Sequence, residues 1–294
     1  MSVSIIINPI AGGTGRAASV GARVDLARSV AAACKELADV HVTEESGHAA
    51  HLARAARAGG ARLVVAWGGD GTVNEVASAL AFGDVPIGIV PAGSGNGLAS
   101  MLGMSFKPAV ALATALRGTP HLIDAGELGG RLFVNLAGIG FDAHVAARFN
   151  APENPRRGLA GYAALVAREA LRYVPGHYTI DTTDSRRSLG AWLVVLANGT
   201  EFGNRIRIAP HARVDDGALD LVVVEQGSRL ATLWGMRRIV TGTVEQAAQW
   251  SSTLVQRVKI ESDTPMMFHV DGEPVQGGTT LDALVHPGAL KICY

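Results

Sequence analysis

The sequence predicts a parallel-sheet α/β domain over residues 1–121 followed by a mainly antiparallel β domain over residues 122–294. Three observations carry this. Short apolar runs alternate with helical patterns up to about residue 120, which in a parallel sheet puts helices over both faces. Strand-like runs dominate from residue 122 onward. Glycine-rich loops follow three of the early strands, where α/β proteins bind ligands at the carboxyl edge of the sheet.

The elements follow in order. Residues 4–7, with three consecutive isoleucines, read as a strand, and 17–37 as an alanine-rich helix. Strand 40–42 and helix 48–58 come next, then strand 63–67 and a helix over 73–80, where Val73, Val76, Ala77 and Leu80 recur at helical spacing. Strand 87–90 leads into a helix at 97–102. In the second domain the strands are 122–123, 132–135, 178–180, 191–197, 219–225, 255–260, 266–270 and 290–292, with helices at 158–173 and 228–240. Residues 150–158, with two prolines and two arginines, read as a loop.

Composition limits the function classes. The chain has 294 residues, 48% of them hydrophobic and 18% charged, enough for a sizeable core. Lysine plus arginine equals aspartate plus glutamate at 26 each, so the net charge is zero, which argues against a nucleic-acid partner. Cys34 and Cys293 give neither a disulfide framework nor a CxxC pair, and fit reduced thiols in a cytoplasmic protein. No secretory leader and no run of about 18 apolar residues is present, so any membrane contact is expected to be peripheral.

The three loops are Asn8-Pro9-Ile10-Ala11-Gly12-Gly13-Thr14-Gly15, Gly68-Gly69-Asp70-Gly71-Thr72 and Pro91-Ala92-Gly93-Ser94-Gly95-Asn96-Gly97. Glycine lets backbone N–H groups approach an anion, and the helix that follows adds a positive end. Three such loops on one edge point to a polyphosphate. There is no GxxxxGK[ST], so this is no P-loop, and the G-x-G-x-x-A match at residues 13–18 follows too long a loop for a Rossmann turn. Asp70 is the sharper clue. A carboxylate among phosphate-binding glycines repels the phosphates unless it binds magnesium or accepts a proton, and kinases need both services.

At this point GGDGTVNEV (68–76), NPIAGGTG (8–15), PAGSGNGLA (91–99), NLAGIGFD (135–142), DDGALDLVVV (215–224) and HVDGEPV (269–275) together resemble the diacylglycerol kinase catalytic-domain family. That family includes bacterial lipid kinases and is related to sphingosine and ceramide kinases. GGDGT alone is shared with NAD kinases and phosphofructokinases; the full set, in order, is much more specific. The resemblance implies a nucleotide domain like that of NAD kinases and diacylglycerol kinases, then an antiparallel β-sandwich, with the last residues able to return to the first domain. It implies ATP and Mg2+ as cofactors and a lipid substrate presented by a membrane surface.

It also implies roles. Asn8, Pro9, Ile10, Ala11 and Gly12 would lie against ATP, and Thr43 would contact the nucleotide. Gly68, Gly69, Asp70, Gly71, Thr72, Val73 and Asn74 would cradle the phosphates, with Asp70 acting through magnesium. Ser94 would offer a hydroxyl to a phosphate; its PAGSGN context is closer to the sphingosine and ceramide kinase type, which leaves the lipid open. Glu273 would be the general base, taking the proton of the lipid hydroxyl, with Asp70 as its rival. Asp216, with the backbone carbonyls of Arg213 and Ala218, would hold a structural magnesium; the alternative is an Asp-Gly turn opening a strand.

His48 and His51 lie three apart on a helix, but no further metal ligand accompanies them, so surface or capping histidines are expected. Residues 148–172 hold Arg148, Arg156, Arg157, Arg168 and Arg172 against Glu153 and Glu169, and 229–238 hold Arg229, Arg237 and Arg238. Leu159, Tyr162, Leu165, Val166, Leu230, Leu233 and Trp234 run between them. Basic and apolar together suit an anionic lipid surface, while amphipathic helices packed on a sheet give the same pattern. The function expected is a lipid kinase, peripheral to the membrane. An NAD kinase and a non-catalytic nucleotide or lipid sensor are the alternatives, and a homodimer is left open.

Overall fold

The computed structural model describes residues 2–12, 20–151, 158–203, 206–227, 238 and 242–294. Gly13, Thr14 and Gly15 of the first loop, the start of the helix expected at 17–37, most of the loop expected at 150–158 and nearly all of the helix expected at 228–240 lie outside the described residues.

The chain divides into two compact units, Met1–Ile123 with Gly288–Tyr294, and Asp124–Pro287. The first contains β1 (Val3–Ile7), α1 (Val20–Ala33), β2 (Ala38–Val42), α2 (His48–Ala58), β3 (Leu63–Gly68), α3 (Asp70–Leu80), β4 (Ile87–Pro91), α4 (Gly97–Met101) and α5 (Pro108–Arg117). The strands are parallel in the order β2-β1-β3-β4. Every residue of β1, β3 and β4 is buried, as expected for strands covered on both faces. Val3, Ile5, Ile7, Leu63, Val65 and Trp67 form one core with Ala27, Ala31, Leu112 and Leu116 of the helices.

β5 (Pro120–Leu128) carries the chain into the second unit, which adds β6 (Arg131–Phe133), β7 (Leu136–Gly140), α6 (Phe141–Asn150), α7 (Gly158–Ala170), β8 (Gly176–Thr182), β9 (Arg186–Ala197), β10 (Leu219–Glu225), β11 (Trp250–Val255), β12 (Arg257–Glu261), β13 (Met267–Val270), β14 (Glu273–Gln276) and β15 (Thr280–Cys293). Its strands pair antiparallel along β7–β13–β14, β7–β9–β8–β12–β15, β9–β10–β11 and β5–β6. β9 changes partner midway: Arg186–Ala191 pair with β8 and Leu193–Ala197 with β7. Its side chains alternate between two cores. Val194 and Leu196 join Val258, Ile260 and Phe268, while Leu193, Val195 and Ala197 join Ile208, Val222 and Val244. The far end of β15 returns to the first unit, where Ile292 and Cys293 pair in parallel with Ile87 and Gly88 of β4.

Several elements differ from the sequence expectation. The strand expected at 255–260 is two strands. Val255 pairs with Leu219 and Arg257 with Leu284, and the exposed Gln256-Arg257 pair shifts the alternation by one residue at the change of partner. β15 is far longer than 290–292, because Leu281, Ala283 and Val285 extend its buried face. Pro287 and Gly288 (φ +59°) interrupt that pattern where the strand leaves the second unit. α5, α6, β7 and β14 were not expected, and the strand expected at 132–135 ends at Phe133, because the chain bends at Val134-Asn135 before β7. Glu273 opens β14 directly after the Asp271-Gly272 turn.

Candidate active site

In the first unit the loops after β1, β3 and β4 leave neighbouring parallel strands at the same edge. Strand pairing continues into them: Asn8 N–H donates to the Trp67 carbonyl (2.9 Å) and Ala92 N–H to that of Gly68 (2.8 Å). Asn8 Nδ2 donates to Thr72 Oγ1 at 2.9 Å, tying the first loop to α3. The second and third loops touch through bare backbone, since a Cβ on Gly93 would stand 2.6 Å from Gly69 Cα. Only glycine permits that approach.

Asp70 answers the question its sequence position raised. Its Oδ2 accepts the N–H of Asn96 (2.8 Å) and its Oδ1 that of Gly97 (2.9 Å). The carboxylate therefore clasps the third loop to the second, a service that the choice between magnesium and a proton did not include. It lies in the first turn of α3, where negative charge meets the positive helix end. Asn96 closes its own loop: with φ +55°, its Oδ1 accepts Gly93 N–H (2.8 Å) and its Nδ2 donates to Gly93 O (2.6 Å).

The remaining residues expected at the nucleotide fall into two kinds. Thr43 is buried, its N–H donating to Ile7 O at 2.9 Å, so it stands beside the end of β1. Gly12 has φ +94°, and Ile10 and Ser94 are exposed. Val73 is buried in α3, which leaves its backbone as the part that can serve a ligand. Two residues carry roles that sequence reading missed. Glu75, inside GGDGTVNEV, accepts the N–H of Gly47 (2.8 Å) and Ala49 (3.1 Å) and holds the start of α2. Arg23 of α1 donates to the carbonyls of Asn8 (2.9 Å) and Ala11 (2.8 Å).

In the second unit Glu273 stands at the end of a two-residue connection between β13 and β14. Asp271 (φ +47°) and Gly272 (φ +86°) both adopt the left-handed conformation of tight hairpin turns. The buried Asp271 carboxylate fixes this turn: Oδ2 accepts Val134 N–H (2.9 Å), and Oδ1 accepts those of Asn135 (2.9 Å) and Leu136 (3.1 Å). Gly272 is held on both sides. Its N–H donates to His269 Nδ1 (3.3 Å), and its carbonyl accepts from Asn150 Nδ2 (2.9 Å). With Nδ1 accepting, His269 Nε2 carries the hydrogen toward Asp142 Oδ2, 3.1 Å away in a fully buried pair. Gly138 makes room for Asp142, since a Cβ there would run into Oδ2. The exposed Glu273 thus projects from a rigid support. Beside it opens a cavity of about 230 Å3, lined by Ala147, Met267, Pro274 and Val275 with Asn150 and Gln276.

The expected metal residues lie on the segment before β10. Asp216 is exposed, and its Oδ1 accepts Ala218 N–H at 3.1 Å in a local turn. Asp124 Oδ2 accepts Gly217 N–H at 2.7 Å, and the Arg213 side chain pairs with Asp215. Asp220 is pushed above the usual carboxylate range by burial first and by the charge of Asp216 as well, partly offset by a hydrogen bond from Ser252 Oγ (2.7 Å). Arg213 thus offsets one of these carboxylates, and Asp216 sits in a local Asp-Gly turn. Among the described residues no cluster of three or more His, Cys, Asp or Glu groups is placed to hold a metal. His48 accepts Glu44 N–H through Nδ1 (3.2 Å), a contact to the segment before α2, and His51 is exposed.

The basic-apolar segment divides. Tyr162, Leu165 and Val166 pack with Phe141, Val145, Phe149, Tyr173 and Trp192 into a small aromatic core, and burial pushes the Tyr162 hydroxyl up to about 12. Arg168 pairs with Glu169, which also meets His144. The exposed apolar residues there are Leu171 and Val174, flanking Arg172. The segment 229–238, Arg238 apart, lies outside the described residues. Among the described residues no helix is long and apolar enough to cross a membrane.

Two family descriptions match this chain: the diacylglycerol kinase catalytic domain over residues 2–128 and the YegS C-terminal NAD kinase beta sandwich-like domain over 135–294. The chain belongs to this family of lipid kinases. Its relatives include a protein described as "Probable lipid kinase YegS-like" in Chromohalobacter salexigens, 34% identical over 255 residues, covering 85% of this chain and 82% of that one. One with the same description in Pseudomonas aeruginosa PAO1 is 35% identical over 268 residues, covering 88% and 84%. A crystal structure of a diacylglycerol kinase from Bacillus anthracis matches in fold, with a TM-score of 0.74 at 20% identity over 100% of this chain and 96% of that one.

Proposed function

We propose that this lipid kinase uses ATP and magnesium to transfer the γ-phosphoryl group to a hydroxyl of diacylglycerol or a similar lipid. The observation that carries the reading is the three-loop assembly at one sheet edge, locked by Asp70 and by the Gly69–Gly93 contact. Residues 8–12, Thr43, 68–74 and Ser94 then serve the nucleotide, mostly through backbone N–H groups. Phosphoryl transfer asks mainly for positioning and charge neutralisation, which rigid loops supply without reorganisation.

Glu273 is the proposed base. Both oxygens of Asp70 already accept backbone N–H groups, which favours Glu273 in that role. Its carboxylate takes the proton of the lipid hydroxyl as that oxygen bonds to the γ-phosphorus. The bond from that phosphorus to the bridging oxygen breaks, and ADP leaves. Magnesium, held by Asp70 at the phosphates and by Asp216 with the Arg213 and Ala218 carbonyls as a structural site, would supply charge neutralisation and rigidity. The cavity beside Glu273 suits the part of the lipid next to its hydroxyl. Leu171 and Val174 with Arg172 offer an apolar, basic contact to the membrane surface.

The test is transfer of label from γ-labelled ATP to a lipid panel in mixed micelles, with NAD alongside, for wild type, Glu273→Gln and Asp70→Asn. Label in a lipid, lost in Glu273→Gln, supports the proposal and names the acceptor. Label in NAD alone refutes lipid specificity. Full activity in Glu273→Gln removes the assigned base.

A further inference from the structure

Arg23 is a buried cation without a counter-ion. It lies on α1 with 8% of its surface exposed, and among the described residues it pairs with no carboxylate. Among the described residues its hydrogen-bond partners are the carbonyls of Asn8 and Ala11. A guanidinium carries five N–H donors and stays charged, so two are used and no described residue accepts the other three. Burying a charge is costly unless it is paired.

The surroundings say what charge would pair with it. Residues 8–12, 68–74 and 91–97 contain no lysine or arginine, and their one charged side chain is the carboxylate of Asp70. Backbone N–H groups and helix ends can meet a polyphosphate there, but these residues bring no basic side chain to it, and Arg16 beyond the first loop lies outside the described residues. Arg23 lies close behind the first loop: its Nη2 is 3.9 Å from where a Cβ of Gly12 would stand, so the glycine backbone separates it from the loop surface by almost nothing. The two carbonyl bonds fix the plane of the guanidinium, as a fork that must not reorganise on binding requires.

We propose that Arg23 is the phosphate-recognising cation of the first loop, its missing counter-charge being the polyphosphate of a nucleotide. This deepens, and rests on, the ATP-binding reading above. It makes Arg23 a binding residue whose contribution grows with the number of phosphates, where a mere staple for the loop would affect every nucleotide form alike.

The experiment is calorimetric titration of the full chain and of Arg23→Gln and Arg23→Lys with adenosine, AMP, ADP, ATP and inorganic tripolyphosphate, with and without magnesium. In Arg23→Gln, adenosine affinity is expected to stay within about twofold while ATP and tripolyphosphate weaken about tenfold or more, the loss increasing from AMP to ATP. Arg23→Lys should keep most of the preference for ATP over adenosine. Equal losses for adenosine and ATP, unchanged ATP binding in Arg23→Gln, or a Lys variant no better than Gln would each overturn the proposal. If Arg23→Gln does not fold, Arg23→Lys alone decides by the same ratio. A wild type that binds neither nucleotide nor tripolyphosphate overturns the ATP reading itself, and is recognised before any variant is compared.

Discussion

Replacing Asp271 should destabilise the second unit by an amount set by the three amides it serves. In Asp271→Asn one oxygen is kept. Facing Asn135 and Leu136, it retains two bonds, and the new NH2 group then meets Val134 N–H, donor against donor. Losing one charge-assisted bond and leaving that amide buried costs about 1.5–3 kcal/mol. Asparagine tolerates the +47° φ, so no backbone penalty is added. Asp271→Ala strands all three amides and adds about 1–2 kcal/mol for an alanine in that conformation. The sum is about 5.5–11 kcal/mol before non-additivity reduces it, which is comparable to a domain's whole stability. Urea unfolding followed by tryptophan fluorescence, to which Trp192 and Trp250 of the second unit contribute, reads this. With an m-value of about 1–3 kcal/mol/M, Asp271→Asn should lower the midpoint by about 1 M. A midpoint within about 0.2 M of wild type would mean that the carboxylate is not what satisfies those amides.

Three further outcomes are expected. Asp70→Asn leaves Asn96 or Gly97 N–H without an acceptor, so ATP affinity should fall both with magnesium and in EDTA; a loss confined to magnesium would show that the clasp does not matter. Gly93→Ala forces a Cβ to 2.6 Å from Gly69 Cα and should cost about 1–3 kcal/mol, read as a lowered midpoint with loss of nucleotide binding; full retention of both would contradict the close approach. Asp220, its proton affinity raised above the usual 3.8, costs stability once ionised, and this cost develops as pH rises through 3.8 to the folded value. Asp220→Asn keeps an acceptor for Ser252, so in EDTA it should raise Tm at pH 7 and change it little below pH 3.8, whereas a lower Tm at pH 7 would rule out burial of the charge as the dominant effect.

The sequence made the first unit legible because its signals are local. β1 is apolar apart from Ser4 and β3 is apolar from Leu63 to Trp67, and each loop follows its strand directly. Asp70 was visible as an anomaly, but its partners are 26 and 27 residues away, and nothing local shows that a carboxylate there meets amides. The second unit hides more. Asp271 and the amides it holds are separated by 135 to 137 residues, and His269 and Asp142 by 127. Strand content there was readable from alternation, which produced the antiparallel reading. Alternation does not report partners, so the break between β11 and β12 appeared only with the pairing. The role of Arg23 escaped because one arginine in an alanine-rich helix looks like an ordinary solvated residue.

β9 has a consequence for cooperativity. Its side chains feed two cores alternately, so no partial opening can release one of them and leave this strand's packing on the other intact. The two cores of the second unit should therefore melt in a single transition, and the amides of Leu193–Ala197 should be its slowest to exchange, at a rate set by global unfolding. A substitution of Val194 or Val195 addresses one core in space but both in free energy. The tolerance of this unit to change is then lowest along one central strand, distant in sequence from the strand that Glu273 opens.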